Sequence, residues 1–338
     1  MPRDLASYNI GIDVGGTTIK AGLVDKNGEI VHFVKIPTDK TASGEKFLDD
    51  LKSAVDQLLK DKNLKVKNIN SIGVCSPGWI KDGVLIAANN LPGCSNVAID
   101  IGLRERTGVP VYVGNDAKVA LLGELENRVK LGQPVNTSIL YATIGTGIGG
   151  AFASKEGKLH EMHNGFGLEI GHIIINNTET ARSCTCGKKG CFEAEAASSS
   201  LEKISKEKYP EEAWAGDSQK IYQAAKSGDS KASALVDKQI QDLATGIDSV
   251  RCILDPGLVI VGGAMTNDFE FIKDRLENAL SQKQFTPELQ YELDRATLIN
   301  NGGILGAAAL YKQDLELHKK LRTSLAQSAR GLLCAIRQ

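Results

Sequence analysis

Aromatic residues are scarce in this chain of 338: 8 Phe, 7 Tyr and 2 Trp. Charge of one sign is missing as well. Lys and Arg number 40 against 41 Asp and Glu, a net charge of −1, so no basic field marks a nucleic-acid or anionic-membrane surface. The one strongly basic stretch is the tail from His318 onward, read as a solvated helix face. No run of eighteen apolar residues occurs, and MPRDLASYNI lacks the apolar centre of a signal peptide. These absences predict a soluble, cytoplasmic protein with neither nucleic acid nor membrane as partner. Glycine, by contrast, is plentiful at 35 residues, which implies many tight turns. The length exceeds the usual ceiling for one domain and predicts two.

The seven cysteines are unevenly spread. Cys184, Cys186 and Cys191 fall within eight residues, while Cys75, Cys94, Cys252 and Cys334 are scattered. A disulfide framework spreads its cysteines through a small secreted domain; clustering in an intracellular chain reads as metal binding. With His172, separated from Cys184 by eleven residues, the three thiolates form a closed tetrahedral zinc set, structural because no position is left for water. Gly187 and Gly190 let the loop fold back on the ion. His172 is the ambiguous ligand: it precedes the apolar run Ile173–Ile175, and as a core residue it would leave water or a carboxylate to complete the site. The scattered cysteines are expected to be buried, inert thiols.

The stretch TIGTGIGGAF (143–152) contains Gly145-x-Gly147-x-x-Gly150, the literal dinucleotide fingerprint. That motif needs a strand before it and a helix after it, because the pyrophosphate rests on the helix N-terminus. TSILYATI suits a strand, but GAFASKEGKLH alternates and then turns at Lys155–Lys158, which predicts a second strand. A nicotinamide cofactor is therefore not expected. The segment IGIDVGGTTIKAGLVDKNGEIVHF near the start repeats the layout: with Gly16 over Gly145, Thr17 meets Thr146 and Gly28 meets Gly157. Two glycine–threonine hairpins of this kind offer backbone N–H groups and hydroxyls to phosphate, and glycine lets the backbone approach it.

Between the hairpins, Pro110 to Val113 predict a strand and Ala117 to Val129 a helix, so Asn115 and Asp116 sit at the junction. They suit an N-cap. They equally suit chemistry, since strand ends at a domain junction carry it in α/β enzymes and a helix N-terminus favours an ionised base. SGEKFLDDLKSAVDQLLK (43–60) predicts a helix capped by Ser43, with residues 47, 48, 51, 54, 55, 58 and 59 facing the core.

Asp13-x-Gly15-Gly16-Thr17, Gly114-Asn115-Asp116-Ala117, Gly145-Thr146-Gly147, Glu169-x-Gly171-His172 and Cys184-x-Cys186-Gly187-x-x-Gly190-Cys191-x-Glu193 together resemble the ROK family of sugar kinases and repressors, from Asn9 to about Tyr311. The resemblance implies two actin-like (ribonuclease H-like) α/β domains with mixed sheets flanked by helices, and ATP and sugar in the interdomain cleft. It implies a smaller N-terminal domain of 1–115 plus about 306–338, and a larger one of 116–305 carrying the zinc loop. The implied reaction is ATP- and Mg²⁺-dependent phosphorylation of a hexose 6-hydroxyl, glucose first. N-acetylmannosamine, fructose and allose are alternatives, and a sugar-binding regulatory protein is the non-enzyme alternative. A winged-helix repressor is not expected, because the first phosphate strand begins at Tyr8.

By the same resemblance Asp116 is the base, and Asn90, Asn115, Asp116, Glu169, His172 and Glu193 bind the sugar. Asp13, Gly15, Gly16, Thr17, Thr18, Lys20, Thr146, Gly147, Gly262 and Gly263 serve the nucleotide, and His172, Cys184, Cys186 and Cys191 hold structural Zn²⁺. VCSPGWI and ANNLPG resemble sugar loops, DPGLVIVGGAM a strand edging the nucleotide, and NGGILGAAALY a helix that returns to the first domain. Cys75-Ser76, Cys94 and Lys118 depart from the family pattern and bear on which hexose is used. Lys118 is expected to face water, as are Glu161 and Glu195. The metal loop and the phosphate hairpins, far apart in sequence, are expected to act independently. A homodimer or homotetramer is expected.

Overall fold

The computed structural model describes residues 7–166, 168–283, 286, 288–298 and 301–313. The basic tail and Cys334 lie outside them. The chain forms two compact units. One runs to Glu126 and resumes at Asn301; the other runs from Asn127 to Asn300.

The first unit contains β1 (Tyr8–Val14), β2 (Thr18–Asp25), β3 (Ile30–Pro37), α1 (Gly44–Asp61), β4 (Ile69–Ser76), β5 (Trp79–Lys81), β6 (Val84–Ala87), β7 (Val97–Ala98), α2 (Ile99–Thr107), β8 (Val111–Asn115) and most of α3 (Asp116–Lys130). Its main sheet runs β3-β2-β1-β4-β8. The β1–β2 and β2–β3 pairs are antiparallel, the β1–β4 and β4–β8 pairs parallel. α1 buries Phe47, Leu48, Leu51, Ala54, Val55, Leu58 and Leu59, as its spacing predicts, and Ser43 accepts from the Lys46 N–H at its start. A further helix (302–313) lies against strand backbone. A Cβ at Gly11 would come 1.9 Å from the Ile304 carbonyl oxygen, and one at Gly73 1.7 Å from that of Ala307. Only glycine permits that approach.

The second unit contains β9 (Ile139–Ile144), β10 (Ile148–Ala153), α4 (Phe192–Ala196), α5 (Ser198–Lys208), α6 (Ser218–Lys226), α7 (Ser230–Leu254), β11 (Leu258–Gly262), α8 (Phe269–Ser281) and β12 (Glu292–Arg295). Its sheet runs β10-β9-β11-β12. β9–β10 is antiparallel, and β9–β11 and β11–β12 are parallel. Those senses repeat β2-β1-β4-β8, so the internal repeat read from the glycine turns extends to a whole mixed sheet. The copies differ after the second strand. β3 is eight residues long, whereas the turn after β10 leads only to the bridge Ala153↔Leu159, since HEMHNGFG beyond it lacks strand alternation. The helices bury an aliphatic core around Phe192, Trp214 and Phe269. Among the described residues no helix is long and apolar enough to cross a membrane.

Candidate functional site

In the first unit the β1–β2 connection is tight: the Gly15 N–H donates to the Thr18 carbonyl at 3.0 Å, and the Thr38 hydroxyl donates to the Gly15 carbonyl at 2.7 Å. Thr17 is exposed at the tip, and a Cβ on Gly16 would stand 3.5 Å from Asn90 Nδ2. Asp13, at the end of β1, faces Lys20 across the hairpin with Nζ 3.9 Å from its carboxylate. Burial raises the Asp13 carboxyl above the ordinary range; Lys20 and a hydrogen bond from Cys75 oppose that rise. Cys75 is level with Asp13 on β4. Burial, and then the charges of Asp13 and Asp116, push its thiol well up. Cys75 therefore belongs to the same cluster as the two carboxylates. The sequence marks it only as a buried, inert thiol and a departure from the family pattern, because strand register rather than local pattern brings it there.

Asn115 closes β8 and Asp116 opens α3, as expected. Both Oδ1 atoms accept from the Ala117 N–H, at 3.1 and 2.8 Å, so the capping role is real. Asn115 Nδ2 also donates to the Gly78 carbonyl at 3.0 Å, tying the β4–β5 connection to the helix start. Asp116 itself is exposed. Lys118 does not face water: it is 7% exposed, because the first turn of α3 is enclosed, with Ala117 and Val119 buried on either side of it.

In the second unit the Gly145 N–H donates to the Gly147 carbonyl at 2.9 Å and Thr146 is exposed. This turn joins strand to strand, which removes the dinucleotide geometry. Gly263 abuts the end of β9, where a Cβ would meet the Ile144 carbonyl oxygen at 2.4 Å. Glu193 Oε2 accepts from the Ile148 N–H at 2.9 Å, and the Ser198 N–H donates to the Gly145 carbonyl at 2.9 Å. Glu193 lies two residues beyond Cys191, so the metal loop and the glycine turn are in contact. Their expected independence is thereby corrected: sequence distance hid a contact made by the α4–α5 segment. Glu169 is exposed, and its carbonyl accepts from the His172 N–H at 3.0 Å. A Cβ on Gly171 would stand 3.4 Å from Glu193 Cβ, so the 169–172 turn and Glu193 are neighbours.

One donor atom each from His172, Cys184, Cys186 and Cys191 lies within 4.8 Å of the others. His172 Nδ1 is 3.6 Å from Cys184 Sγ, and Cys186 Sγ is 3.6 Å from Cys191 Sγ. A zinc tetrahedron with Zn–S near 2.3 Å has edges of about 3.8 Å between sulfurs, so the set is compatible with structural zinc. Burial and the neighbouring thiols push Cys191 up to about 12; a divalent cation offsets that repulsion and stabilises the thiolates. Gly190 lets the loop close, since at φ 71° a Cβ would stand 1.6 Å from the Asn176 carbonyl oxygen.

Two other expectations are corrected. Glu195 is 6% exposed, because α4 turns it inward and its Oε1 accepts from the Arg182 N–H at 2.9 Å; Glu161 is exposed. Cys75 and Cys94 are buried as expected, but Cys252 is exposed, on the outer face of α7.

The model of the ROK family matches residues 9–314. A glucokinase of Halalkalibacterium halodurans is 31% identical over 90% of this chain and 95% of its own. An N-acetylmannosamine kinase of Escherichia coli is 28% identical over 89% and 97%. The crystal structure of a ROK family glucokinase from Streptomyces griseus in complex with glucose and AMPPNP superposes with a TM-score of 0.73. It is 27% identical, and the match covers 90% of this chain and 98% of that one. These likenesses, with a mixed sheet in each unit, give the actin-like α/β fold.

Proposed function

The chain belongs to the ROK family, and on that premise we propose that it transfers the γ-phosphoryl group of ATP to the 6-hydroxyl of a hexose, glucose first. The observation that carries this is Asp116, an exposed carboxylate anchored at the head of α3 through Oδ1 and grouped with Asp13 around Cys75.

In-line phosphoryl transfer asks for a base at the hydroxyl and compensation of charge on the phosphates. Asp116 takes the hydroxyl proton, which goes to its carboxylate as the oxygen bonds to phosphorus and ADP leaves. Asn115 holds the β4–β5 connection beside it through the Gly78 carbonyl. Asn90, Glu169, His172 and Glu193 bind the sugar; carboxylates and an imidazole set against adjacent hydroxyls select far more sharply than an apolar pocket. With Nδ1 of His172 turned to Cys184, its Nε2 is left for the sugar, and zinc held by His172, Cys184, Cys186 and Cys191 would fix the ring plane. Gly15, Gly16, Thr17, Thr18 and Lys20 on one hairpin, and Thr146, Gly147, Gly262 and Gly263 in the second unit, cradle the nucleotide. Asp13 would hold magnesium, which would neutralise charge on the phosphates.

N-acetylmannosamine remains the rival substrate, because a relative of that activity covers nearly the whole chain and an N-acetyl group is accommodated by loop shape. An ADP-release assay across hexoses and N-acetylhexosamines separates the two. Glucose should give the highest kcat/KM; a preference for N-acetylmannosamine would move the assignment to the rival, and silence across the panel would remove both.

A further inference from the structure

Behind the metal loop, α4, α5 and α7 enclose a cavity of about 410 Å³, the size range of small-molecule sites. Leu201, Ile204, Tyr209 and Leu235 supply its apolar walls. Its charged lining includes Arg182, Glu195, Lys208, Lys238 and Asp242. Three of these are matched by protein partners: Arg182 pairs with Glu207 at 2.7 Å, and Lys238 and Asp242 pair with each other at 2.5 Å. Glu195 is different. It is 6% exposed and its Oε1 accepts a neutral backbone N–H, but no cation lies within ion-pair distance of it among the described residues. It also raises the Asp242 carboxyl, adding to the effect of burial. Lys238 and Lys283 both act on Asp242, which leaves Glu195 as the carboxylate with no cation at ion-pair distance among the described residues, and a buried carboxylate in that state is unfavourable. Lys208, exposed at the rim, likewise has no ion-pair partner among the described residues.

We propose that this cavity is a second binding site, for a small zwitterion of the α-amino-acid type with an apolar side chain. Its ammonium group sits against Glu195, its carboxylate meets Lys208, and its side chain lies among Leu201, Ile204, Tyr209 and Leu235. Occupancy is felt at the first site, because Glu195 and Glu193 share α4, and Glu193 holds the Ile148 N–H of the glycine turn. Only this second clause rests on the kinase assignment.

Binding is tested without turnover, on the intact protein, by calorimetry and thermal melting. The probes are L-leucine and L-phenylalanine, their N-acetyl derivatives, and 4-methylpentanoate and 3-phenylpropanoate. The free amino acids should bind saturably and raise the melting temperature, and the compounds without an ammonium group should not. Glu195→Gln keeps the acceptor for the Arg182 N–H and should weaken binding at least about tenfold, the effect of losing a charged partner. Ala234→Trp, at the exposed rim of the cavity on α7, should block binding without touching Glu195. Equal binding of the N-acetyl derivatives, unaltered affinity in both variants, or no binding of either amino acid overturns the proposal. If binding holds but sugar KM does not respond to it, the site stands and its coupling to the kinase falls.

Discussion

At the scale of single residues, the two carboxylates beside Cys75 lend themselves to opposite tests. Asp116→Asn keeps the cap, since an amide oxygen still accepts from Ala117, but cannot take a proton. Turnover should fall at least about a hundredfold, the lower range for a lost general base, with sugar affinity by equilibrium titration nearly unchanged; activity within a few-fold of wild type would remove Asp116 from the role. Asp13 should behave differently. Burial raises its carboxyl in the folded state, so its protonation stabilises the fold at pH below the unfolded value of about 4. That contribution is lost as pH climbs through the raised value. Asp13→Asn should therefore raise the melting temperature of the nucleotide-free protein at neutral pH, with the gain shrinking as pH drops towards 4, while phosphoryl transfer is lost. A melting temperature lowered at pH 7 would show that the Lys20 pairing outweighs burial. Asp116 could be placed from sequence because a strand end and a helix start are local signals. Cys75 and Glu195 could not, because register across β1 and β4, and the inward turn of α4, are set by tertiary packing.

At the scale of elements, α1 was readable to the residue, cap included, since one amphipathic face with a serine at its head leaves few alternatives. The metal loop was readable as a ligand set but not as a neighbour of the glycine turn. That neighbourhood changes what metal loss should do. If the Cys₃His set pins α4, then Cys184→Ala should lose about one equivalent of zinc by elemental analysis, freeing Glu193 from the Ile148 N–H. KM for the sugar and for ATP should then rise together. A rise in the sugar KM alone would mean that the Glu193 contact does not transmit the loop's position, and a zinc-free wild type of full activity would contradict the site itself.

At the scale of the whole molecule, the repeat was legible because glycine turns cannot be substituted freely, and the paired mixed sheets follow from it. Where the second copy loses its third strand, the sequence loses its alternation too. Which hexose is used was not legible, since the shape around a sugar is a property of packing that no local pattern reports. The central claim is that these elements move a phosphoryl group onto a sugar oxygen, and ³¹P nuclear magnetic resonance watches that bond directly. With glucose, ATP and Mg²⁺, the γ-phosphate signal should decline as a phosphomonoester signal coupled to the C6 protons of the sugar grows in equal amount, and Asp116→Asn should slow both. Loss of the γ-phosphate to inorganic phosphate alone, or an unchanged ATP spectrum with every sugar of the panel, would contradict the account.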